Sequence, residues 1–135
     1  MILLDTHVWI WWVSGSTKLS APAQRAIASH VRSGRVHLSA ISAWEVALLV
    51  RRGRLELTQP VEDWVARSLT LPFVEFVPVD PRIALRSVAL PAPLHDDPAD
   101  RIITSTAIGL GATLPTRDAR LLAYARRGHL TALRA

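Results

Sequence analysis

Cysteine is absent from the 135 residues, which excludes disulfide scaffolds, thiolate zinc sites and cysteine nucleophiles. Lysine is almost absent: of 16 basic residues only Lys18 is a lysine. Long hydrophobic runs are missing as well. The apolar stretch 8–13 falls far below the ~20 residues of a membrane span, and no basic segment precedes it as in a secretory leader. A soluble, cytoplasmic protein with no membrane partner is expected.

What is present reads as a globular chain. Half of the residues are hydrophobic and 20% are charged, which excludes a wholly disordered polymer. The length fits one domain with a core of its own. The net charge of +5 fits an anionic partner such as nucleic acid, although the bias toward arginine is equally what a GC-rich genome produces.

Short apolar strands alternate with helices. The pattern predicts strands over 2–4, 36–41, 73–79, 112–115 and 130–133. It predicts helices over 6–13, 20–33, 42–52, 59–69, 80–90, 97–110 and 118–127. This order argues for an α/β sandwich around a mostly parallel sheet. Of the five tryptophans, Trp44 and Trp64 are expected in the core. Trp9 and Trp12 lie one helical turn apart, with Trp11 on another face that could meet a partner.

Four acids stand at equivalent joints. Asp5 ends the first strand, Glu45 follows the second, Asp100 opens the sixth helix, and Asp118 follows the strand 112–115. Helix capping explains three of them: Ser42-Ala43-Trp44-Glu45 has the form of a capping box, Asp97-Pro98-Ala99-Asp100 of a capped start, and Asp118 of an ordinary cap. Asp5 is harder to explain, because an acid closing a buried apolar strand is costly to desolvate. Parallel α/β sheets gather such joints at one edge. Carboxylates brought together there would repel by about 4 kcal/mol per close pair at an effective dielectric near 20. Raised pKa values or a hard divalent cation would relieve this. Apart from His7 and His95, expected to serve as hydrogen-bonders, the joints lack nitrogen ligands, which favours Mg²⁺ or Mn²⁺ over zinc.

Leu-Leu-Asp-Thr-His at 3–7, Ser-Ala-Trp-Glu at 42–45, His-Asp-Asp-Pro-Ala-Asp-Arg-Ile-Ile at 95–103 and Leu-Pro-Thr-Arg-Asp at 114–118 together resemble a PIN-domain ribonuclease, more narrowly a VapC-type toxin of a toxin–antitoxin pair. The resemblance implies one PIN domain over 1–135, folded as a three-layer α/β/α sandwich. It implies an Mg²⁺- or Mn²⁺-dependent endoribonuclease, with Asp5, Glu45, Asp100 and Asp118 as catalytic and metal-holding acids. Thr6, Asp97 and Thr116 would support them, and Arg51, Arg52 and Arg117 would guide RNA. The implied partners are RNA, a VapB-type antitoxin and a second copy of the chain. The alternative is a PIN-like module that binds RNA or a partner without cutting. A phosphoacceptor receiver domain is excluded by the missing late lysine, and a haloacid-dehalogenase phosphatase by Thr6-His7 where Asp-x-Asp needs its second acid.

Overall fold

A computed structural model describes residues 1–135. The strands are β1 (Ile2–Leu4), β2 (Val36–Ser39), β3 (Val74–Val77), β4 (Leu114–Thr116) and β5 (Ala132–Arg134). Every pairing is parallel: β1 with β2, β2 with β3, and β4 with β5. A bridge between Ile2 and Thr113 joins the two ladders, with the Leu3 N–H donating to Thr113 O at 3.0 Å. The order across the sheet is therefore β3-β2-β1-β4-β5.

Pleating divides β1 between two cores. Ile2 and Leu4 face one that contains Trp9, Ile27, Val46 and Trp64; Leu3 faces another with Ile103, Leu114, Leu121 and Tyr124. Helices α1 (Thr6–Ser14), α2 (Ala21–Ser33) and α4 (Val61–Leu69) supply the first core, to which α3 (Ala40–Arg51) adds Val46. Helices α6 (Pro98–Leu110) and α7 (Ala119–Arg126) supply the second, with α5 (Pro81–Ala89) packed on α6. The predicted three-layer α/β/α sandwich is the one observed, and its sheet is parallel throughout. Trp9 is fully buried, donates its indole N–H to Ser68 Oγ at 3.1 Å and contacts Trp64 with ring centroids 4.7 Å apart. Its one polar atom is thus satisfied inside the core.

Two expectations are corrected. Ser42 does not start a helix: β2 stops at Ser39, whose Oγ accepts the Ile41 N–H at 3.2 Å, and α3 begins at Ala40. Glu45 consequently lies in the second turn, where the helix dipole has faded and no capping box can form. Trp44 is 56% exposed rather than core.

Chain order makes β1 the switch point. From β1 the sheet grows outward to β2 and β3, then the chain crosses back and adds β4 on the other side of β1. Such a reversal leaves a crevice at the carboxyl ends of the two strands. Asp5 ends β1 and Thr116 ends β4, so both face that crevice.

Candidate active site

The crevice is a cavity of about 550 Å³ whose walls include Asp5, Glu45, Asp97, Asp100 and Asp118, with Arg54, Arg117 and Arg120. Five acids thus stand against three arginines there.

Asp5 caps α1, accepting the Thr6 N–H at 2.8 Å, while Thr116 Oγ1 donates to its other oxygen at 2.5 Å. It is 8% exposed. Burial pushes its carboxyl above the usual carboxylate range, and the charge of Asp100 pushes the same way against those two hydrogen bonds. Glu45 is reached across the crevice by Thr6 Oγ1, 2.5 Å from Oε1; the same hydroxyl lies 2.9 Å from Ser42 Oγ. Burial first, then Asp5 and Asp100, push Glu45 up to about 7 despite that bond. With the capping box gone, Glu45 has no helix-end role that would explain it.

Asp97 caps α6 through the Asp100 N–H at 2.9 Å, which leaves the Asp100 carboxylate free to turn into the cavity. There it accepts His95 Nε2–H at 2.7 Å and lies 3.5 Å from the Arg120 guanidinium. Burial and the charges of Asp97 and Asp118 nevertheless raise its carboxyl above the ordinary value. Asp118 caps α7 by accepting the Arg120 and Leu121 N–H groups at 2.7 and 3.2 Å, and the Arg120 guanidinium lies 3.0 Å from its other oxygen. Burial raises its carboxyl, but these bonds outweigh it and hold Asp118 below its usual value. The Pro115 carbonyl accepts the Asp5 N–H at 3.3 Å, and Thr116 Oγ1 accepts the Asp118 N–H at 3.1 Å.

The structure thus brings Asp5, Thr6, Glu45, Asp97, Asp100, Thr116 and Asp118 to one crevice. It treats the arginines differently. Arg117 lines the cavity, but its guanidinium donates to Ala135 O at 2.9 Å and to Lys18 O, and stands 4.8 Å over the Trp11 ring. Arg51 and Arg52 lie beyond the walls at the end of α3, while Arg54 takes part in them. His7 is exposed on the rim beside Trp11 rather than hydrogen-bonded in the interior. Sequence reasoning missed the pairing of Arg120 with Asp118 and Asp100; the available signal was an arginine two residues after a helix cap. It also missed the buried hydroxyl of Ser42 against Thr6.

The donor set fits a divalent cation. Asp5, Glu45 and Asp100 are pushed toward the neutral form by burial and by neighbouring acids, and a bound cation would favour their ionised forms instead. The one group of three whose ligand atoms all lie within 4.8 Å of one another is His95, Asp100 and Asp118, with Asp5 and Glu45 standing outside it. Two carboxylates and one imidazole form a donor set that a divalent cation accepts.

Residues 2–127 match the PIN-domain family. Ribonuclease VapC22 of Mycobacterium tuberculosis (strain ATCC 25618 / H37Rv) is 37% identical over 123 residues, 91% of each chain. Among solved structures, VapBC2 from Rickettsia felis, crystallised with a promoter DNA fragment, superposes with a TM-score of 0.68 at 17% identity over 98% of both chains. FitAcB from Neisseria gonorrhoeae gives 0.61 at 24% identity, covering 99% of this chain and 97% of that one. The two structures share the fold, the curated relative shares the sequence along nearly its whole length, and the chain belongs to the PIN-domain family.

Proposed function

We propose that the protein is an endoribonuclease that needs Mg²⁺ or Mn²⁺, and that it is a VapC-type toxin restrained by a VapB-type antitoxin. The observation that carries this reading is the convergence of five acids in the crevice at the switch point, with Asp5, Glu45 and Asp100 desolvated there. The activity named for the curated relative supports the substrate class. The antitoxin complexes among the solved structures of this fold support the partner.

Asp5, Glu45 and Asp100 would hold the ion, with Asp118 ligating beside them or orienting the attacking water. Bound there, the ion supplies an acidified water and positive charge opposite the phosphate. The chain's own residues keep the donors aimed. Thr116 fixes the Asp5 carboxylate, Thr6 fixes Glu45, His95 fixes Asp100, and Arg120 fixes Asp118. Arg54 and Arg117 offer cations at the cavity wall, and Arg51 and Arg52 extend basic surface beyond it. Water adds to phosphorus and the 3′ oxygen leaves, giving 5′-phosphate and 3′-hydroxyl ends. No side chain need act as nucleophile. A homodimer is part of the proposal: Leu85 and Val88 stand 74% and 80% exposed on α5, an aliphatic pair suited to a protein interface.

The test is cleavage of RNA by purified wild type and Asp5→Asn, with and without Mg²⁺ or Mn²⁺. Metal-dependent cutting by the wild type alone is expected. A module that only binds RNA or a partner would cut nothing under any of these conditions, and that result would overturn the reading. Light scattering of the purified protein tests the dimer.

A further inference from the structure

A second cavity, about 560 Å³, adjoins the acidic one. The two share Arg120, and His95, on the wall of the second, carries the hydrogen bond to Asp100. Its lining has the opposite chemistry. It contains Arg101, Arg120, Arg127 and His95, no acid, and apolar surface from the 90–94 segment and α7. The walls are stapled in place. Arg101 donates to Ser87 O at 2.8 Å, Leu94 O at 3.0 Å and His95 O at 3.2 Å, and the Tyr124 hydroxyl donates to Pro91 O at 2.8 Å. These bonds occupy Arg101, and Asp118 and Asp100 hold the Arg120 guanidinium, so Arg127 remains as the free cation on the rim of a preformed apolar slot.

We propose that this slot seats the base of an unpaired RNA nucleotide adjoining the bond to be cut, with Arg127 holding its phosphate. The inference rests on the ribonuclease reading and deepens it by assigning a specificity site. Two features favour a nucleotide over a peptide. The slot is cationic at its rim and apolar within, as phosphate and base require, and it continues from the acidic cavity through Arg120, so a strand crossing that residue enters both. A base in such a slot is read unpaired, against the apolar side chains of the 90–94 segment.

The test uses Asp5→Asn protein, so that RNA is bound without being cut, and fluorescence anisotropy with a short RNA made abasic at each position in turn. One abasic position is expected to bind about tenfold more weakly than intact RNA. Ala123→Trp, which fills the slot, should weaken intact RNA by a similar factor and abolish the difference at that position. Arg127→Glu, a surface change that leaves the slot's packing alone, should weaken all the RNAs and flatten the salt dependence. Equal binding of every abasic RNA, or a difference that survives Ala123→Trp, would overturn the proposal. So would an Ala123→Trp protein that binds RNA normally but has lost its antitoxin, since the slot would then belong to a peptide. Cleavage by the wild type is measured separately. A protein that discriminates one abasic position yet cuts nothing with Mg²⁺ or Mn²⁺ would keep the base site and lose the nuclease.

Discussion

Asp5 and Asp118 are built alike and ionise in opposite directions. Each follows a strand beside the switch point, each caps the next helix, and each lines the same cavity. Asp5 is met only by a hydroxyl and an amide, so burial dominates and raises its pKa. Asp118 is met by the Arg120 guanidinium and two amides, which overcome burial and lower it. The chain supplies a guanidinium at one corner of the cavity, 3.0 Å from Asp118 and 3.5 Å from Asp100, and leaves Asp5 and Glu45 with hydroxyl and amide partners only. A site meant only to be stable would have paired both corners, because unpaired buried carboxylates cost more than they return.

The sharpest way to break this comparison is to neutralise the two acids separately. Asp5→Asn should lower RNA cleavage by about a thousandfold or more, and Asp118→Asn by roughly ten- to a hundredfold, in single-turnover assays. Equal losses would erase the distinction between the corners. The next effect is on stability. Mg²⁺ or Mn²⁺ at about a hundred times its Kd should stabilise the wild type by about 2.7 kcal/mol, a Tm rise of roughly 8 °C. Asp5→Asn should show little of that rise, and a full rise there would move the ion away from Asp5.

Thr116→Val sharpens the contrast from the other side. It strips Asp5 and the Asp118 N–H of the hydroxyl they share, and urea unfolding should show a loss of about 1–3 kcal/mol. The pH dependence follows with smaller amplitude. Folding raises Glu45 from its ordinary 4.5 to about 7. The stability it contributes is therefore full below pH 4.5 in metal-free protein and is lost as pH climbs to about 7. Glu45→Gln should flatten that part of the Tm–pH curve. Asp118, lowered on folding, has the reverse sign: its contribution is present above its ordinary pKa and disappears as pH falls. The smallest effect is expected from Arg51→Ala with Arg52→Ala. Because both lie outside the cavity, the slope of log affinity against log salt should fall by no more than about 0.7 for each phosphate that either arginine neutralises.

The fold was legible because its signals are local. An all-apolar run such as Ile2–Leu4 reads as a strand buried on both faces, and Asp80-Pro81 and Asp97-Pro98 read as helix starts wherever they occur. The Ser42–Glu45 start misleads for the same reason. Ser39 and Ser42 are equally good caps on paper, and the difference lies in where β2 runs out of partner strand. The cluster of acids was visible as four joints in a repeating pattern. Arg120 and Arg54 were not distinguishable from the other arginines, because which cation faces a carboxylate depends on helix rotation and on groups far away in the chain.

By itself the sequence determined the order of strands and helices, the acid at each joint and the family these belong to, since hydrophobic period, caps and motif spacing act over a few residues. Only the tertiary structure decided which acid is neutralised by the chain and which is left wanting a cation. Ionisation in a buried crevice depends on burial and on charges contributed by segments far apart in the chain, and these distances exist only once β4 lies beside β1.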